Sequence, residues 1–114
     1  MEYTEADHLA TKEPVVNVIF DALIEKLHAF GELKIEPKKT SIHLVNRFAF
    51  AGVYTRKHYI NLEFQLSHKL IGKRILKVQQ VSANRFHHTV KISSAKELDH
   101  ELLRWLKDAY DLKK

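Results

Sequence analysis

Eight histidines stand among the 114 residues. Imidazole suits both metal binding and proton transfer near neutral pH, so their spacing is the first thing to weigh. No two fall at the i, i+4 spacing of one helix face, no cysteine is present, and no His-Glu-x-x-His string occurs. Zinc and thiolate chemistry therefore lack their usual ligand sets. His87 and His88 are adjacent on a predicted strand, so they point to opposite faces and cannot chelate one ion. His88 is expected inward, as a core or rim histidine. His43 and His58 meet each other or His87 only through a cross-strand register that the sequence leaves open. Ser41, Ser67, Ser82, Ser93 and Ser94 fall in turns or caps, and none sits in a Gly-x-Ser-x-Gly elbow. The three glycines are too few for a phosphate-cradling loop, which argues against P-loop and dinucleotide sites. Glu36 and Glu63 are the only acids of the strand region, and Glu63 is expected to form a cross-strand ion pair rather than to act in catalysis. On this reading no catalytic residue, metal ligand or cofactor is assigned, and the balance leans away from an enzyme.

Binding chemistry is the better-marked alternative. Tyr54 and Tyr59 bracket Arg56, Lys57 and His58, and aromatic rings among cations suit stacking on bases beside phosphate contacts. A hairpin turn with solvated charges is the plain alternative for the same string. The net charge of +5 is unevenly spread: residues 34–91 carry twelve Lys and Arg against two acids, while residues 1–33 are acidic and residues 92–114 are balanced. A cationic sheet surface concentrates anions, whether nucleic acid, a phosphorylated metabolite or an acidic protein. Its ordinary alternative is solubility charge that discourages strands from pairing edge to edge. No helix-turn-helix, ribonucleoprotein aromatic motif or zinc finger is present.

These side chains need elements to hold them. Val15, Val16, Ile19, Ala22, Leu23, Leu27 and Phe30 recur at threes and fours, predicting a helix over about 14–30 that Pro14 opens and Gly31 closes. The period then drops to two. Strands are expected around Leu33–Glu36, Ser41–Leu44 and Phe48–Val53, then His58–Leu66, Ile75–Val81 and Arg85–Ile92. A bulge near Gly52 would reverse part of the alternation. Ser94 and Glu97 have capping-box spacing before a second amphipathic helix, expected over about 95–112. Residues 1–12 show no period and are expected as a flexible arm, with 13–114 as a single α+β domain. The short connections favour an antiparallel meander of five or six strands with both helices on its apolar face. Tyr59, Asn61, Gln65, Arg85, His87, Thr89 and Lys91 then fall on the opposite face. No apolar run approaches the ~20 residues of a membrane span, and the acidic start does not resemble a signal peptide, so a cytoplasmic protein is expected.

Several strings, in this order, resemble a bacterial domain-of-unknown-function family that occurs as a stand-alone protein or a C-terminal module. They are Pro14-Val15-Val16, Phe30-Gly31, Lys39-Thr40-Ser41-Ile42 and Phe48-Ala49-Phe50-Ala51, then Arg56-Lys57-His58-Tyr59-Ile60-Asn61-Leu62 and Arg85-Phe86-His87-His88-Thr89-Val90, and last Leu98-Asp99, Glu101-Leu102, Trp105-Leu106 and Ala109-Tyr110. Some relatives carry the automatic label "predicted transport protein", which this chain, without a membrane span, does not support. The resemblance implies no catalytic residues. Similar domains at the ends of restriction-type proteins add some weight to nucleic-acid association, by context alone.

The leading expectation is a non-enzymatic binding module that holds an anionic partner, nucleic acid among them, through Arg56, Lys57, Tyr59, Arg85, His87 and Lys91. The alternative is a small-molecule or enzymatic pocket between sheet and helices anchored by His58, His87 or His88. A homodimer through the outer face or an edge strand is a third.

Overall fold

A computed structural model describes residues 2–112. It contains three α-helices and six strands: α1 (Glu5–Leu9), α2 (Pro14–His28), β1 (Lys34–Pro37), β2 (Ile42–Asn46), β3 (Phe48–Thr55), β4 (Ile60–Leu66), β5 (Ile75–Ser82), β6 (Arg85–Ile92) and α3 (His100–Tyr110). All pairings are antiparallel, and the sheet order is β1-β2-β3-β4-β6-β5. The chain meanders through β4, passes to the far edge as β5, and returns as β6 between β5 and β4. The expected α+β fold, one antiparallel sheet with an N-terminal and a C-terminal helix, is the one observed.

Alternation explains the sheet. On β4, Ile60, Leu62, Phe64 and Leu66 are buried while Asn61, Glu63 and Gln65 are half-exposed. Val90, Ile92 and His88 of β6 join the same buried face. Val16, Ile19, Phe20, Leu23 and Leu27 of α2 and Leu102, Leu106, Ala109 and Tyr110 of α3 complete one continuous core. The expected bulge lies at Phe50, which has no partner on β2 because Leu44 faces Ala51 and Val45 faces Ala49. Phe50 and Ala51 are consequently both buried, and alternation resumes with Gly52 outward and Val53 inward.

Helix ends differ from the periodic reading at identifiable residues. α2 stops at His28, and Gly31 follows with φ 138°, a conformation that favours glycine. A Cβ there would stand 2.7 Å from the Tyr110 hydroxyl, which donates to the Glu32 carbonyl at 2.7 Å. Tyr110 meets Phe30 and Phe50 edge-on, so the ends of α2 and α3 are locked together over β3. The expected helix over 95–112 is broken at Leu98 and Asp99. The Ser94–Glu97 capping box is present, but it caps only a 3-10 turn, Ala95–Glu97. Asp99 then starts α3 as its N-cap, accepting from the Leu102 N–H at 3.1 Å. Within the segment expected as an arm, Thr4 caps α1. Its buried His8 sets Nε2 2.6 Å from the Lys38 carbonyl oxygen, and the His8 carbonyl accepts from Thr55 Oγ1 at 2.7 Å.

Candidate functional site

The core draws both helices to one side of the sheet, which leaves the outward side chains of β1–β6 with no helix of the described residues packed over them. The register sets their order. One row crosses the strands as Glu36, His43, Gly52, Glu63, Thr89 and Lys77. Toward one end lies the row Tyr54, Asn61, Lys91, and toward the other Gln65, His87, Gln79. Neighbouring strands stand about 4.8 Å apart, so His43 and Glu63 face each other across roughly 10 Å of backbone with only Gly52 between them.

A shallow depression of ≈ 120 Å³ opens at this point, lined by His43, Gly52, Tyr54, Glu63, Gln65 and His87 among others. Gly52 is its open floor: an added Cβ would meet nothing closer than 3.8 Å, so the space is unfilled because no side chain is there. His87 Nδ1 lies 3.0 Å from Glu63 Oε1, both side chains about 70% buried. The carboxylate can only accept, so that contact sets a proton on Nδ1 and leaves Nε2 as the ring nitrogen not engaged by Glu63. Gln65 Nε2 is committed to the Ala49 carbonyl at 2.8 Å. Ala49 and Gln65 also border a second cleft, of ≈ 590 Å³, formed with Phe48, Ser82, Ala83, Asn84 and Arg85. The two openings therefore adjoin along the outer face.

The six residues singled out for binding fall in three places, and two of them lie in a turn at the end of the face rather than on it. Arg56 and Lys57 are exposed in the β3–β4 turn, beside Tyr59 and Lys91, where Lys91 Nζ sits 4.4 Å from the Tyr59 ring centroid. His87 occupies the middle of the sheet. Arg85 stands at the far end of β6, about 20 Å from Lys91 at ~3.3 Å per residue, with its guanidinium donating to the Asn84 carbonyl. Near the centre of the face the Asn61 side-chain oxygen is buried with no hydrogen-bond partner.

The three histidines proposed as anchors of an inner pocket are not brought together. His58 pairs with Glu13 at 2.7 Å, with both side chains about half exposed. His87 is on the outer face. His88 is fully buried on the core face, stacked on Phe64, which itself stacks on Trp105. Its Nε2 accepts from the Leu70 N–H at 2.9 Å, and Nδ1 has no partner. Burial holds the His88 imidazole below its ordinary pKa, and nearby His68 adds in the same direction. Between β1, β2 and the end of α3, a cleft of ≈ 880 Å³ is lined by residues such as Lys34, Asn46, Arg47 and Tyr110 and holds no histidine. Glu63 pairs across strands as expected, with His87 diagonal to it. His43 comes opposite Glu63 only through the register, which the sequence leaves open, and the opening at Gly52 has no local signal. No group of three or more metal-ligating side chains occurs among the described residues.

A family model described as a domain of unknown function (DUF5655) matches residues 5–113. No curated protein and no solved structure matches the chain.

Proposed function

The chain belongs to the DUF5655 domain-of-unknown-function family, which leaves its role to be read from its own surface, and we propose that it is a binding module whose uncovered sheet face holds single-stranded nucleic acid. The observation that carries this reading is the placement of cations and rings on one face with no helix over it. Lys91 and Tyr59 are stacked at one end beside Arg56 and Lys57, Arg85 stands beside the cleft at the other, and Lys77 and His87 lie between. Phosphates take the cations and bases take the rings. An uncovered sheet face suits unpaired bases better than a duplex, whose edges are read by an inserted helix or ribbon. No helix among the described residues is long and apolar enough to cross a membrane, so the exposed cations need no transmembrane role.

Fluorescence anisotropy with a labelled single-stranded oligonucleotide tests it. Binding is expected at ~50 mM salt and should fall steeply by ~200 mM, because each neutralised phosphate releases counterions. Reversing charge at Arg56, Lys57, Arg85 and Lys91 together should abolish it for every sequence, and Tyr59→Ala should cost about 1–3 kcal/mol if a base stacks there. No anisotropy change at ~50 mM salt would remove the reading.

A further inference from the structure

The geometry points to RNA cleavage without a metal ion at the depression over Gly52, with His87 as proton acceptor and His43 as proton donor on either side of one phosphodiester. This inference rests on the interface reading above and extends it from holding a strand to cutting it.

Breaking RNA by its own 2′-hydroxyl needs two proton-transferring groups and a gap between them. One takes the proton from the 2′-oxygen, and the other gives a proton to the departing 5′-oxygen. Both requirements are visible. His87 is held through Nδ1 by Glu63 at 3.0 Å, so Nε2 is the ring nitrogen left to act as acceptor, and the carboxylate stabilises the imidazolium that results. His43 lines the opposite wall, three strands away on β2, with β3 and β4 between. On its outer side Glu36 is its register partner on β1, and Glu36 in turn pairs with Lys38 at 3.5 Å. Gly52, between the two walls, presents no side chain, and the space there admits a group of several heavy atoms. The adjoining cleft offers Phe48, Asn84 and Arg85 to the neighbouring base and phosphate.

The step balances with nothing added. His87 Nε2 takes the 2′-hydroxyl proton while the 2′-oxygen bonds to phosphorus. The bond from phosphorus to the 5′-oxygen breaks, and protonated His43 gives its proton to that oxygen. The products are a 2′,3′-cyclic phosphate and a 5′-hydroxyl end. DNA lacks the attacking group, and a 2′-O-methyl strand has it blocked.

The test uses three labelled strands of one sequence, RNA, DNA and 2′-O-methyl RNA, with the full chain in EDTA. The expected result is cleavage of RNA alone, cyclic-phosphate ends by mass spectrometry and a bell-shaped pH–rate profile. H43A and H87A should each slow cleavage more than about 100-fold while weakening 2′-O-methyl binding less than about tenfold. Gly52→Leu, which fills the floor and leaves both imidazoles in place, should also stop cleavage. If the 2′-O-methyl strand binds and RNA stays intact, or if H43A and H87A cut as fast as the parent chain, the cleavage proposal is overturned and the interface reading stands. If no strand binds, both fall.

Discussion

His88 is the most deeply buried of the buried polar side chains among the described residues. It is fully buried, packed flat on Phe64, and its Nε2 accepts from the Leu70 N–H. A proton on Nε2 would delete that bond and charge the core. Burial keeps its folded-state pKa below 6.5, the ordinary value, so unfolding takes up a proton whenever the pH lies between the two. Its contribution to stability is complete above about pH 6.5 and shrinks as the pH falls through that value, with a slope of up to ~1.4 kcal/mol per pH unit. Denaturant unfolding at a series of pH values below 7 should show this slope, and His88→Gln should flatten it. An equal slope in both chains would remove His88 as the cause. The sequence placed His88 inward from alternation alone, yet its hydrogen bond to a loop eighteen residues away had no signal there.

At the scale of elements, the C-terminal helix depends on one carboxylate in two roles. Asp99 Oδ1 caps the Leu102 N–H and also accepts from Arg74 Nη1 at 2.8 Å, tying the loop before β5 to the start of α3. The Arg74 guanidinium holds the Asp99 carboxyl below the usual carboxylate range, with the Leu102 N–H adding to it. Asp99→Ala should lose about 1 kcal/mol from the cap, with Asp99→Asn recovering most of it, since the amide oxygen still accepts. Equal midpoints for the two variants in urea would mean that capping is not what Asp99 supplies. Arg74 also reaches Glu101 at 3.3 Å and the Glu97 carbonyl at 2.7 Å, so it retains partners when Asp99 is lost. A periodic reading joined 95–112 into one helix because Ser94-x-x-Glu97 has the spacing of a helix start. The break falls where Asp99 caps a new helix, and its ion pair with Arg74 is a long-range contact that local pattern does not reveal. β4 was legible because its alternation is strict.

The whole molecule presents two sheet edges. β1 is short and ends in Pro37, while β5 has two register irregularities and Lys77 on an otherwise open edge with exposed Leu76 and Val81. Proline, bulges and edge lysines discourage a second sheet from adding on. Light scattering at high protein concentration should therefore give the 13.4 kDa monomer, and a dimer that Leu76→Lys dissociates would show that the apolar edge residues outweigh those devices. By itself the sequence determined the two helices, the strand faces and the concentration of cations in the middle of the chain, because periodicity and charge are local properties. The tertiary structure alone decided that β6 lies inside β5, that a bulge at Phe50 turns Gly52 outward, and that His43 faces Glu63 and His87 across it. Register arises from pairings between distant segments, so no single stretch of residues contains it.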